Sequence, residues 1–266
     1  MYNRWMRTIL ITLVVVVILA PIYAHTMVIG YFDTSREDWG FDGNNYLTSA
    51  KQWLIDHGHT LKTTNVANTA FLSTVDAFYT GLLNSGGIAQ AEVDAMKQFV
   101  NVQGGFLFIQ TDWANAPWTA AANLILSNWG ITHGGEYFND SHTTVGSSQW
   151  VTDPNIVTNF IGSAHSVVTD YPQGFEILAV DPENRPVLGV FDAGGGRSSD
   201  VLIATDINFW DNLYGWTNAS NRDLWENIWS TAEGQVGGEV PEPATMILLG
   251  SGLVGLAGYA RRRMKK

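Results

Sequence analysis

The chain has 266 residues, enough to bury a sizeable core, and a formal net charge of −11. It has no cysteine, which excludes thiol nucleophiles, thiolate metal sites and disulfides. Seven of its 14 basic residues, but only Glu239 and Glu242 among its 25 acidic ones, lie in the terminal segments. The central part therefore carries about −16 and repels nucleic acid and anionic lipid, whose phosphates are met mainly by Lys and Arg.

Arg4 and Arg7 precede an apolar stretch over residues 9–20, followed by Pro21-Ile22-Tyr23-Ala24. A basic start, an apolar stretch and a small residue predict a signal peptide over residues 1–24, cut just ahead of His25. An uncleaved N-terminal anchor is the alternative.

Residues 27–32 form a continuous apolar run, the pattern of a strand buried on both faces. A polar loop, 33–45, follows. Tyr46, Leu47, Ala50, Trp53, Leu54 and Ile55 then recur at helical spacing, and Gly58 stops that helix. Residues 59–64 and 75–83 read as strands. Gly87 to Glu92 opens a helix with Val93, Met96, Phe99 and Val100 on one face, ended by Gly104-Gly105. Residues 106–109 are another fully apolar strand, and 118–129 a helix closed by Gly130. Strands alternating with helices in this way predict βαβ units and a mainly parallel sheet.

Further on, residues 167–170, 175–180, 187–191 and 201–205 read as strands, some of them antiparallel. Residues 221–231 read as a helix burying Leu224, Trp225, Ile228 and Trp229. No internal repeat is present. The expectation is one α/β domain over residues 26–235, between the signal peptide and a linker and sorting segment, 236–266.

That last segment begins with Gly237 and Gly238 and reaches Pro241-Glu242-Pro243. An apolar stretch over 245–260 follows, then Arg261, Arg262, Arg263, Lys265 and Lys266. The two prolines keep the approach extended, and the basic cluster would hold the extreme end in the cytoplasm. The apolar stretch falls short of the roughly 20 residues of a comfortable transmembrane helix. In order and position these parts resemble the PEP-CTERM sorting signal of Gram-negative bacteria. The resemblance implies a transmembrane sorting helix over 245–260 and recognition and cleavage near Pro-Glu-Pro by a membrane-embedded exosortase. It also implies delivery to the surface in company with exopolysaccharide. An ordinary tail anchor is the alternative.

The central pattern resembles the class I glutamine amidotransferase-like superfamily, a flavodoxin-like α/β arrangement, in its broad sense with trehalose-utilisation-like and other non-amidotransferase relatives. The residues that carry it are Tyr31-Phe32-Asp33, the helix from Glu92 to Val100 running into Gly104-Gly105-Phe106-Leu107, Asp206-Ile207-Asn208-Phe209-Trp210, and Asn221-Arg222-Asp223-Leu224-Trp225-Glu226-Asn227-Ile228. In that superfamily the nucleophile follows a central strand. The matching sequence here is Gln110-Thr111-Asp112-Trp113, with no cysteine, no Gly-x-Ser-x-Gly and no base evident beside Thr111. No catalytic residue is assigned.

Among the histidines, His57 and His59 flank a turn glycine and read as a surface turn. His133, His142 and His165 lie in a Gly/Thr/Ser-rich stretch without zinc-ligand spacing, and no metal ligand is assigned. The acids say more. Ligands of open parallel sheets bind beyond the carboxyl ends of the strands. Segments 33–45, 111–118 and 206–216 should meet there, with Asp33, Asp38, Trp39, Asp42, Asp112, Trp113 and Asp206 as ligand-binding candidates. Asp211, Trp118, Trp210 and Trp216 stand beside them.

Indole faces next to carboxylates suit sugar rings, whereas the plainer reading has the Trp residues filling core and the Asp residues capping helices. No cofactor is called for, although oxygen-rich loops suit calcium; the acids do not match an EF-hand loop. The expectation is an exported surface or matrix protein without enzymatic activity, associated with exopolysaccharide. The alternative is a carbohydrate-active hydrolase using carboxylates at this edge.

Overall fold

The computed structural model describes residues 26–113, 116–194 and 199–236. The signal peptide expected over 1–24, His25, the sorting signal and the helix expected over 245–260 lie outside them. Among the described residues no helix is long and apolar enough to cross a membrane.

The apolar run at the start becomes β1 (Val28–Phe32), the second strand in a nine-stranded sheet. It pairs in parallel with β3 (Thr60–Thr64) on one side and β4 (Ala77–Thr80) on the other. Next come β6 (Phe106–Gln110) and β13 (Asp200–Ala204), also parallel. From β13 outward the sheet turns antiparallel through β12 (Pro186–Asp192), β11 (Phe175–Val180), β8 (Ser141–Thr144) and β9 (Asn159–Ile161). The sheet is thus parallel from β3 to β13, as expected, and antiparallel beyond it. β11, β12 and β13 follow one another through short connections, and only antiparallel neighbours can be joined so tightly.

The central strands are buried on both faces because helices cover both. Phe106 and Phe108 point to one face, where they meet α1 (Thr48–Asp56) and α6 (Ala219–Val236) through Leu54, Trp225 and Trp229. Leu107 and Ile109 point to the other, onto α3 (Gln90–Asn101) and α4 (Ala116–Leu126) through Met96, Phe99, Ala122 and Ile125. This period-two division explains why the run reads as unbroken apolar sequence. Phe108 lies at the centre of an aromatic cluster, with the rings of Trp210, Trp225 and Trp229 5.5, 6.0 and 6.0 Å away. Gly105 permits the tight entry to β6, since a Cβ there would sit 2.1 Å from the Phe99 ring.

Several elements are absent from the sequence reading. The loop 33–45 contains β2 (Glu37–Trp39), paired with β5 (Leu82–Leu83), so the strand expected over 75–83 is in fact β4 and β5 in different sheets. The Gly/Thr/Ser-rich stretch contains β7 (Thr132–Phe138), β8 and β9, with a single-turn helix α5 (Gln149–Thr152). β7 pairs with β10 (Ala164–Asp170) as a separate ribbon. A short helix α2 (Thr69–Leu72), capped by the Asn68 side chain, precedes β4.

Candidate functional site

At the carboxyl edge of the parallel strands, segments 33–45, 111–118 and 206–216 touch. The Trp118 indole donates to Asp38 at 2.9 Å. Asn212 donates to the Asn45 carbonyl at 2.7 Å, and Gln110 to the Asp206 carbonyl at 3.1 Å. The contacts close the edge. The cavity between β4, β5, β6 and α4, lined by Thr80, Leu83, Gln110 and Trp118 among others, measures about 10 Å³, the space of a single water. Larger cavities, of about 280 and 270 Å³, lie elsewhere: beside α5 and α6, and at the opposite, amino edge of the sheet.

The candidate acids are engaged within the fold, most of them by backbone amides. Asp33 accepts from the Ser35 amide at 2.9 Å and its hydroxyl at 2.5 Å. Asp42 accepts from the Tyr31 hydroxyl at 3.0 Å and pairs with Lys51. Asp112 is buried and accepts from the Trp113 amide at 2.7 Å. Burial, with the charges of Asp206 and Asp211 added, pushes its carboxyl well above the ordinary range. Asp206 has no exposed surface and accepts from the amides of Ser163 and Asn208 at 2.6 and 2.7 Å. Burial raises it to about 7 in spite of those two donors. Asp211 accepts from three successive amides, Leu213, Tyr214 and Gly215, at 3.2, 2.6 and 3.2 Å.

The tryptophans divide. Trp210 is fully buried, its indole donating to the Asn221 carbonyl at 3.0 Å. Trp39 is half-buried and packs on Tyr46 at 4.0 Å. Trp113 is 38% exposed and meets Phe138, itself 70% exposed, edge-on at 6.4 Å. Leu213 and Tyr214, 61% and 53% exposed, leave the same edge after β13.

Three buried groups escaped the sequence reading. Glu37, on β2, accepts from the Gly81 amide at 2.6 Å, and burial pushes it well above the carboxylate range. Thr111 does have a base within reach of a relay. Its hydroxyl lies 3.4 Å from that of Ser166, which lies 2.9 Å from His133 Nδ1. All three are buried, and burial lowers His133 to about 4, leaving it neutral but sealed from substrate. His165 lies 3.5 Å from Asp181, which Arg185 also pairs, and its ring stands 4.9 Å from His142. Among the described residues no three His, Asp or Glu side chains are placed to hold a metal ion. His57 sits on the surface against Trp53, as a turn residue would, whereas His59 is buried and accepts the Met27 amide at 3.3 Å. No sequence signal distinguishes these buried histidines, because their partners come from strands that the Gly/Thr/Ser composition conceals.

Solved structures share this architecture. The mmIFT52 N-terminal domain aligns with TM-score 0.64 and 13% identity, over 77% of this chain and 97% of that one. A proposed GMP synthase component from Thermoplasma acidophilum aligns at 0.51 and 10%, over 79% and 95%. A ThuA-like protein from Bacteroides uniformis aligns at 0.51 and 12%, over 79% and 93%. The body therefore shares its α/β fold with these proteins, and its sequence holds no cysteine. Residues 239–263 match the PEP-CTERM protein-sorting motif. That motif indicates an exosortase-sorted protein exported to the cell surface or beyond. No curated protein matches the sequence.

Proposed function

We propose that the body, residues 26–235 as one domain, is a non-catalytic surface or matrix module that associates with exopolysaccharide. In this reading residues 1–24 are a signal peptide, and residues 245–260 hold the chain briefly in the membrane until exosortase cuts near Pro241-Glu242-Pro243. The observation that carries it is the exposed Trp113–Phe138 pair at the carboxyl edge. Flat aromatic faces bind sugar rings without a deep pocket. Asp38, whose carboxylate is exposed, and Trp39 border the same edge, whereas Asp33, Asp42, Asp112 and Asp206 brace it. The test is retention of the processed protein on exopolysaccharide from its producing cells. Trp113→Ala with Phe138→Ala should lower retention about tenfold, the loss of roughly 1.4 kcal/mol. Retention equal to the unaltered protein sinks the reading.

The second reading, a hydrolase using Asp112 and Asp206, draws on their raised proton affinity. Against it stand the full burial of Asp206 and the two backbone amides it serves. A glycan library that is turned over by the protein, with turnover abolished by Asp112→Asn, would establish it.

A further inference from the structure

The chain enters and leaves the body at one place. Val28 begins β1 at the amino edge of the sheet, and its amide donates to Asp76 at 2.7 Å. Asp76 lines the cavity of about 270 Å³ at that edge, together with Ser73, Gln103 and Gly104, which precede β4 and β6. Val236, the last residue of α6, lines the same cavity. The helix runs back along the sheet from the carboxyl edge and delivers the chain next to the point where β1 starts.

We infer that this amino edge faces the bilayer while the sorting tail is in place, and that the edge bearing Trp113, Leu213 and Tyr214 points away from it. The inference rests on the anchoring reading above. Only residues 237–244 separate Val236 from the apolar stretch, a reach of about 28 Å when fully extended. A five-residue strand spans about 16 Å, so the two edges differ in height by at least that much. The net negative body is repelled by anionic lipid and stands off from it, with its point of attachment nearest the surface. The outward edge is then the surface free to meet a partner before processing, and the inward edge is the one the processing enzyme meets when it grips Pro241 to Pro243.

A chain without cysteine allows a direct test by single-cysteine labelling of residues 25–266 in phosphatidylcholine–phosphatidylglycerol vesicles that carry a nitroxide headgroup lipid. A fluorophore on Gln103→Cys should be quenched several-fold more strongly than one on Leu213→Cys. Ser73→Cys and Tyr214→Cys provide an independent pair on the same two edges. Equal quenching at both edges, or stronger quenching at 213 and 214, overturns the orientation. Failure of the unaltered chain to float with the vesicles overturns the anchoring reading and the orientation with it, whereas flotation with uniform quenching overturns the orientation alone.

Discussion

Asp206 shows what a buried acid costs and contributes. Its folded proton affinity lies near pH 7 against 3.8 for an ordinary carboxyl, so the folded state holds a proton that the unfolded chain releases between about pH 4 and pH 7. Its stabilisation is complete below that window and is lost as pH rises through it. His59, His133 and His142, lowered by burial to about 4, 4 and 3, act in the opposite sense: stability from them is present above about 6.5 and is lost on acidification. Comparison with Asp206→Asn cancels the histidines. The advantage of the unaltered protein over this variant should shrink between pH 4 and 7, by up to about 1.4 kcal/mol per pH unit, in urea titrations at a series of pH values. A constant difference would mean that Asp206 stays ionised in the fold.

Among elements, α6 does most to join the two halves of the sheet. Asn221 accepts the Ile161 amide at 3.0 Å and donates to the Ile161 and Phe209 carbonyls at 2.7 and 2.6 Å. It thereby completes the ladder of the edge strand β9 from a helix. Asn227 does the same for Asn155, at 2.9 and 2.7 Å. Asn221→Ala removes the partner of one buried and two part-buried backbone groups and should lower stability by about 2–4 kcal/mol, read as a fall in the urea midpoint with an unchanged slope.

The apolar faces of α3 and α6 and the unbroken runs of β1 and β6 were legible because helical and two-sided strand patterns are strong in single sequences. The strands β7, β8 and β9 were not. Their mostly polar, small and Gly-rich residues, such as Gly134, Gly135, Ser141 and Thr143, belong by composition to loops, and long-range pairing overrides that preference. For the candidate site, the meeting of three loops followed from topology, whereas the closure of the crevice depended on contacts such as Trp118 with Asp38, which no spacing encodes.

For the molecule as a whole, the sheet is organised around a partnership distant in sequence. β6 lies between β4 and β13, and β13 begins at residue 200. The aromatic cluster around Phe108 is likewise completed only by Trp210, Trp225 and Trp229. A chain ending at residue 218, lacking α6, should show no cooperative thermal transition by circular dichroism, since one face of the central strands would lie bare. A sharp transition in that truncated chain would show that the sheet is stable without α6.

The same arrangement bears on timing. A protein whose central strand has no second neighbour until its final quarter has been made stays threadable through most of its synthesis. Only when the last helix arrives can the barrier to folding fall, and by then the sorting motif is the next segment to emerge. The order of residues along the chain thus favours late folding, with the body completed just before the sorting motif is made.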